Sequence, residues 1–263
     1  MTAIKPVTFH WQGIIRNLDK IVLIETASTF RMSEEQRSTA KKFWEEEQAR
    51  NPGKYWNGLL WRYESLSAEN QLEISVSPVM YHSYHYKQEM LTMRKDFLFP
   101  NPNPLGVTAL QITADGYVLA GVQEFAGRNI LTLIGSGFVE RGRKDTVRDT
   151  LIRELAEETA YPKGFVPELE KAVAKEAAAI SVMTGKGLHT TGICIYVPLM
   201  LPSTEAGIGS NEHTEYVPIP LQQANDVLNT GRYKNIPAAQ QLLGALETYI
   251  TFRDLIRGFT AAR

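Results

Sequence analysis

Gly135-Ser-Gly-Phe-Val-Glu-Arg-Gly142, then Arg143-Lys-Asp145, then Thr146-Val-Arg-Asp-Thr-Leu-Ile-Arg-Glu-Leu-Ala-Glu-Glu-Thr-Ala-Tyr161, form one continuous stretch of a 263-residue chain. A β-rich run over 129–134 leads into its glycine-containing loop, and the spacing predicts a helix from about 146 to 160, stopped by Pro162 and Gly164. On that helix Glu154, Glu157 and Glu158 lie at i, i+3 and i+4, so their carboxylates project from one face. Like charges at those spacings repel. Val147, Leu151 and Leu155 form an adjacent apolar stripe that docks the helix on a sheet. A docked helix with clustered carboxylates suits a hard divalent cation such as Mg²⁺, and Arg153 can hold one carboxylate in fixed geometry. The plainer alternative is a solvated acidic face on a purely structural α/β domain.

Outward from this stretch, the first hundred residues read as a small α/β unit. Residues 20–25 are a short β-like run. Ser33 and Gln36 match a capping box, opening a helix that runs to about Arg50 and stops at Asn51-Pro-Gly53. Residues 58–66 and 72–79 are strand candidates on either side of a polar turn at 67–70. Pro100-Asn-Pro-Asn-Pro104 is an extended connector that divides the chain into 1–100 and 101–263. Beyond it, strands over 106–113 and 117–123 flank Ala114-Asp-Gly116, an expected type I′ hairpin turn. A helix is expected over 167–178, strands over 192–201 and 216–219, and a C-terminal helix over 237–257, with a loop rich in small residues at 202–210.

Composition narrows the function. Twenty-eight Lys plus Arg against 29 Asp plus Glu leave a net charge of −1, which argues against nucleic-acid binding through the phosphate backbone. A local site or a bound metal can still hold a small anion. The lone cysteine, Cys194, lies in an apolar run and reads as a buried structural thiol. The longest apolar stretch, 193–201, is far short of the ~20 residues a spanning helix needs. No signal peptide is evident in MTAIKPVTFHW, so a cytoplasmic, membrane-free location is expected.

The helix and loop resemble the Nudix box, Gly-x5-Glu-x7-Arg-Glu-U-x-Glu-Glu-x-Gly-U with U aliphatic. Arg153, Glu154, Leu155, Glu157 and Glu158 match place for place. Asp145 stands where the family has Glu, and Ala160 where it has Gly. The box glycine would fall at Val139. The segment Gly137-Phe-Val-Glu-Arg-Gly142 instead resembles the family's Gly-Gly-x-Val-Glu-x-Gly loop, displaced by the insertion Arg143-Lys144.

The resemblance runs from about residue 105 to the C-terminus and implies a Nudix-like α/β/α sandwich with a mixed β-sheet, preceded by the small α/β N-terminal unit. It implies Mg²⁺-dependent hydrolysis of the diphosphate bond in a nucleoside diphosphate linked to another group, with Mn²⁺ as the alternative metal. Glu154, Glu157 and Glu158 would be the metal ligands and Arg153 their partner. A distant-loop glutamate, Glu212 or Glu215, would be a further ligand or base. The N-terminal unit and residues 101–113 are loosely similar to a UDP-sugar-hydrolysing subgroup. The partner is then a small-molecule nucleotide, and the C-terminal helix serves the core or a homodimer. Asp145, Ala160 and the displaced loop motivate an alternative, a non-catalytic nucleotide-binding module on the same fold.

Other residues invite weaker readings. His82 and His85, in a segment expected to be a strand or irregular, would face opposite sides and make a poor metal pair. Tyr81, Tyr84 and Tyr86 suit packing between the two units or stacking on a base. Thr184-Gly-Lys-Gly-Leu-His189 lacks the spacing of a phosphate loop, although Lys186 and His189 could touch a phosphate. Arg94, Arg128 and Arg141 are phosphate partners on position alone.

Overall fold

The computed structural model describes residues 7–52, 57–92, 99–125, 127–143, 145–185 and 189–260. Lys144, Lys186 and Arg94 lie outside the described residues. The elements in chain order begin with β1 (Val7–Ile15), β2 (Ile21–Glu25), α1 (Glu34–Arg50), β3 (Leu59–Ala68), β4 (Leu72–Met80) and α2 (Tyr81–Thr92). There follow β5 (Leu105–Ile112), β6 (Tyr117–Val118), β7 (Ala120–Phe125), β8 (Arg128–Leu133), β9 (Ser136–Phe138), α3 (Val147–Glu158), β10 (Thr159–Ala160) and α4 (Val166–Lys175). Then come β11 (Ala178–Gly185), β12 (Thr191–Pro198), β13 (Gly207–Ile208), β14 (Glu215–Tyr216), β15 (Ile219–Pro220), α5 (Ala224–Thr230) and α6 (Gln240–Thr260).

The large sheet has the order β1-β11-β12-β5-β6-β15, with β9 also paired to β5. The β12–β5 pair is parallel and its neighbours antiparallel, so the sheet is mixed. Alternation along the strands sorts the core onto two faces. Val107, Ala109, Ile193 and Ile195 pack with Leu151 and Leu155 of α3 and Leu169 of α4. Leu110, Ile112, Cys194 and Tyr196 pack with Leu242, Ala245 and Leu246 of α6. Helices therefore cover both faces, which is the expected α/β/α sandwich. Cys194 is fully buried, as a structural thiol should be.

One parallel pairing, β2 with β4, and one antiparallel pairing, β3 with β4, build a second sheet, β2-β4-β3. Its Tyr63, Leu72, Ile74 and Val76 join the α3 face in one continuous apolar cluster with Leu105 and Leu155. β1, which sequence periodicity did not disclose, lies in the large sheet against β11. Near the connector, Arg62 forms a bridge to Pro104, and the backbone N–H of Trp61 donates to the Val139 carbonyl. These contacts seat the sheet beside the glycine loop.

Several local expectations change. The 81–86 segment is helical, not a strand: the first N–H groups of α2 donate to the Gly58 carbonyl and to Asn57 Oδ1, satisfying donors that a helix start leaves free. The hairpin turn at 114–116 has positive φ only at Gly116, with the Gly116 N–H donating to the Thr113 carbonyl, so it is not type I′. The strand expected over 117–123 is split: β6 stays in the large sheet while β7 pairs with β8 and β14. The 216–219 strand divides in the same way, into β14 and β15.

Candidate functional site

Thr146 caps α3. Its hydroxyl accepts from the Asp149 N–H at 3.1 Å, and Asp149 Oδ2 accepts from the Thr146 N–H at 3.1 Å, a capping box that fixes where the helix begins. The apolar stripe of Val147, Leu151 and Leu155 is buried, as its spacing implies. Docking that stripe sets the direction of the acidic face.

The three helix glutamates occupy different surroundings. Glu158 is 3% exposed, and its Oε2 accepts from the backbone N–H groups of Gly135 at 2.7 Å and Ser136 at 3.3 Å. Gly135 has φ +84, a left-handed conformation that glycine adopts without strain. Glu154 is also buried, and its carboxyl rests on the Cα of Gly137, where any β-carbon would collide with it. Glu157 points outward, its side chain 61% exposed. Burial pushes the Glu154 carboxyl up to about 7 against the opposing pull of Arg153, with Glu157 and Glu212 adding to the rise. Burial likewise pushes Glu158 up to about 8, countered by the Gly135 N–H and reinforced by Glu212 and Glu154.

Arg153 is the hub of this face. Its guanidinium lies 2.5 Å from Glu154, 3.5 Å from Glu140, 3.6 Å from Asp145 and 3.9 Å from Glu157. Asp145, the shorter acid at the box's leading position, is thus engaged by the same arginine. Ala160 leaves the helix in extended form, with β10 paired to β13. The close approach falls on the opposite strand: a β-carbon at Gly209 would come within 2.9–3.1 Å of backbone atoms at Glu157, Thr159 and Ala160. A glycine is needed here, but just after the partner strand β13.

Glu212 sits in the loop after β13, and its charge acts on Glu154 and Glu158. Although the side chain is exposed, crowding by the protein and the charge of Glu157 raise its own carboxyl. Glu215 is exposed on β14 opposite Val122. The fold therefore brings Arg153, Glu154, Glu157, Glu158 and Glu212 within electrostatic reach of one another, while Glu215 follows on β14. Among the described residues no three His, Cys, Asp or Glu side chains converge closely enough to enclose a metal ion. The donor chemistry nonetheless fits a hard divalent cation: carboxylate oxygens from two elements, one pair of them buried against like charge.

A cleft of about 310 Å³ opens beside this face, bounded by Ser136, Gly137 and Phe138 of β9 and by Tyr84 of α2. Tyr84 packs edge-on against Phe138 at 5.0 Å. Phe125, 46% exposed, reaches the cleft from the β7 end of its hairpin, a contribution that no local sequence signal discloses. A larger cleft of about 410 Å³, bounded by Arg16, Lys175 and Met200, lies elsewhere and contains none of the clustered glutamates.

The remaining candidates have structural partners. His85 stacks on Tyr81 and meets Phe43, while His82 faces Asn57, so the two do not form a metal pair. Arg141 pairs with Glu25 at 2.9 Å and lies over Trp61. Tyr86 packs on Phe43 and Phe99. Arg128 is an exposed residue of β8. His189, at φ +51, precedes β12.

No protein-family model and no curated protein matches the chain. Among solved structures, it is similar to the NUDIX domain of Shewanella oneidensis NrtR complexed with ADP ribose, at 18% identity and TM-score 0.37, covering 62% of this chain and 96% of that one. It is similar also to a bifunctional NMN adenylyltransferase/ADP ribose pyrophosphatase from Francisella tularensis complexed with AMP and a Mn ion, at 21% identity and TM-score 0.35. That match covers 52% of this chain but only 39% of the Francisella protein. A NUDIX-family hydrolase from Clostridium perfringens matches at 16% identity and TM-score 0.36, covering 57% of this chain and 97% of its own.

Proposed function

We propose that this chain is a Nudix-type pyrophosphohydrolase that cleaves the diphosphate bond of a nucleoside diphosphate linked to another group, a nucleotide sugar being the favoured case. The observation that carries the reading is the joint placement of the box residues: Glu158 tied to the glycine loop, Glu154 on Gly137, Glu157 free to solvent, and Arg153 bonded to the acids around it.

In this reading Glu154, Glu157 and Glu158 hold Mg²⁺, or Mn²⁺ in its place, with Glu212 as a further ligand or base. Such a cation would supply charge neutralisation of the diphosphate oxygens. Arg153 keeps Glu154 oriented, and the Gly135 and Ser136 N–H groups keep Glu158 oriented, so neither carboxylate must be ordered when substrate arrives. In the role of base, Glu212 would take the proton of the attacking water. The water oxygen bonds to phosphorus, the bridging P–O bond breaks, and the products are a nucleoside monophosphate and a phosphorylated partner. No helix among the described residues is long and apolar enough to cross a membrane.

The experiment is turnover with Mg²⁺ and with Mn²⁺ across nucleotide sugars, dinucleotide cofactors and nucleoside triphosphates. Metal-dependent release of a nucleoside monophosphate from at least one diphosphate-linked substrate is expected. Asp145 and Ala160, standing where the box has Glu and Gly, favour one other reading, a nucleotide-binding module without catalysis. Tight calorimetric binding with no product under saturating metal would select it.

A further inference from the structure

The cleft beside the α3 acids is unlike them in kind. None of its lining residues carries a formal charge. Its walls offer the rings of Tyr84, Phe125 and Phe138, and the side-chain amides of Gln123 and Gln241. Among the described residues no group engages either amide, so both keep a donor and an acceptor to offer.

A lining of this kind disfavours an ionic group, whose charge would lose water and gain no counter-charge. Aromatic rings accept a planar ring by stacking, and amides read the donors and acceptors on its edge. Gly137 joins the two regions, since it borders the cleft on one side and supports the Glu154 carboxyl on the other.

We propose that this cleft seats the neutral nucleobase of the substrate, with Tyr84 and Phe125 as specificity-determining residues. The placement of the diphosphate over the α3 acids rests on the hydrolase reading above; the binding of the base does not. Tyr84 comes from α2, in the stretch before the proline-rich connector, so base selection is a task of the N-terminal segment.

The test is equilibrium binding of nucleoside monophosphates without divalent cation, measured by calorimetry, with ribose 5-phosphate and nicotinamide mononucleotide as comparison ligands. One nucleoside monophosphate should bind at least about ten-fold more tightly than ribose 5-phosphate. Phe125→Ala and Tyr84→Ala should each weaken it by about ten-fold, the scale of one lost stacking contact, while Tyr84→Phe keeps most of the affinity. Phe125 is solvent-exposed, so its variant remains informative even if Tyr84→Ala fails to fold. Equal binding of ribose 5-phosphate, preference for nicotinamide mononucleotide, or unchanged affinity in Phe125→Ala overturns the proposal. If the monophosphate binds as expected but no substrate is hydrolysed, the hydrolase reading fails and the base site stands.

Discussion

Glu157 and Glu158 are adjacent in sequence and opposite in circumstance: one is largely exposed, the other buried and bonded to the glycine loop. The i, i+3, i+4 spacing discloses that the acids share a face, but not which of them the loop covers. That depends on Gly135 and Gly137, which let the backbone approach the helix. Gly137→Ala should displace the Glu154 carboxyl, the movable end of its side chain, so turnover should fall while stability in denaturant unfolding changes little. Arg153→Lys keeps the charge but loses the planar fork that spans Glu140, Asp145 and Glu154. Turnover should drop about 10–100-fold, with little change in melting temperature. Unchanged turnover would show that the fork does not position the acids.

At the scale of elements, α3 was legible because its apolar stripe and its stop signals agree with its acidic face. The capping box of Thr146 and Asp149, unlike that of Ser33 and Gln36, was not read from the sequence, yet it sets the first turn. Thr146→Ala should lower stability by about 1 kcal/mol in chemical denaturation. The Asp149 carboxyl is held below its ordinary value of 3.8 by the Thr146 hydroxyl and N–H. A lowered carboxyl stabilises the fold above its unfolded value and loses that contribution as pH falls through the folded one. The stability gap between the parent and Asp149→Asn should therefore be constant above about pH 4 and narrow below it. β11 was not legible: it is buried on both faces and shows no alternation, so its apolar run carries no strand period. α2 was misread because two of its starting N–H groups are satisfied by Asn57 and Gly58, far back in the chain.

The whole molecule is tied together across the proline-rich connector. Pro100-Asn-Pro-Asn-Pro104 reads as a boundary, but β1 belongs to the large sheet, and Tyr63, Leu72 and Ile74 share a core with Leu151 and Leu155 of α3. Such pairing over long sequence separations is invisible to local patterns. Thermal unfolding of the full chain should be one cooperative transition, and residues 101–263 expressed alone should lack it. Two separate transitions, or a stable 101–263 fragment, would make the N-terminal stretch an independent unit.

The claim on which the account stands is that the α3 acids carry the chemistry through a divalent cation. Because the Glu157 side chain is 61% exposed, Glu157→Gln should leave the melting temperature unchanged, so that lost activity cannot be lost fold. The decisive measurement is the rate of nucleoside monophosphate release from a diphosphate-linked substrate at increasing Mg²⁺, for the parent and for Glu157→Gln. Metal-dependent turnover is expected in the parent, with a fall on the order of 100-fold in the variant. Equal rates at every Mg²⁺ concentration would contradict the claim.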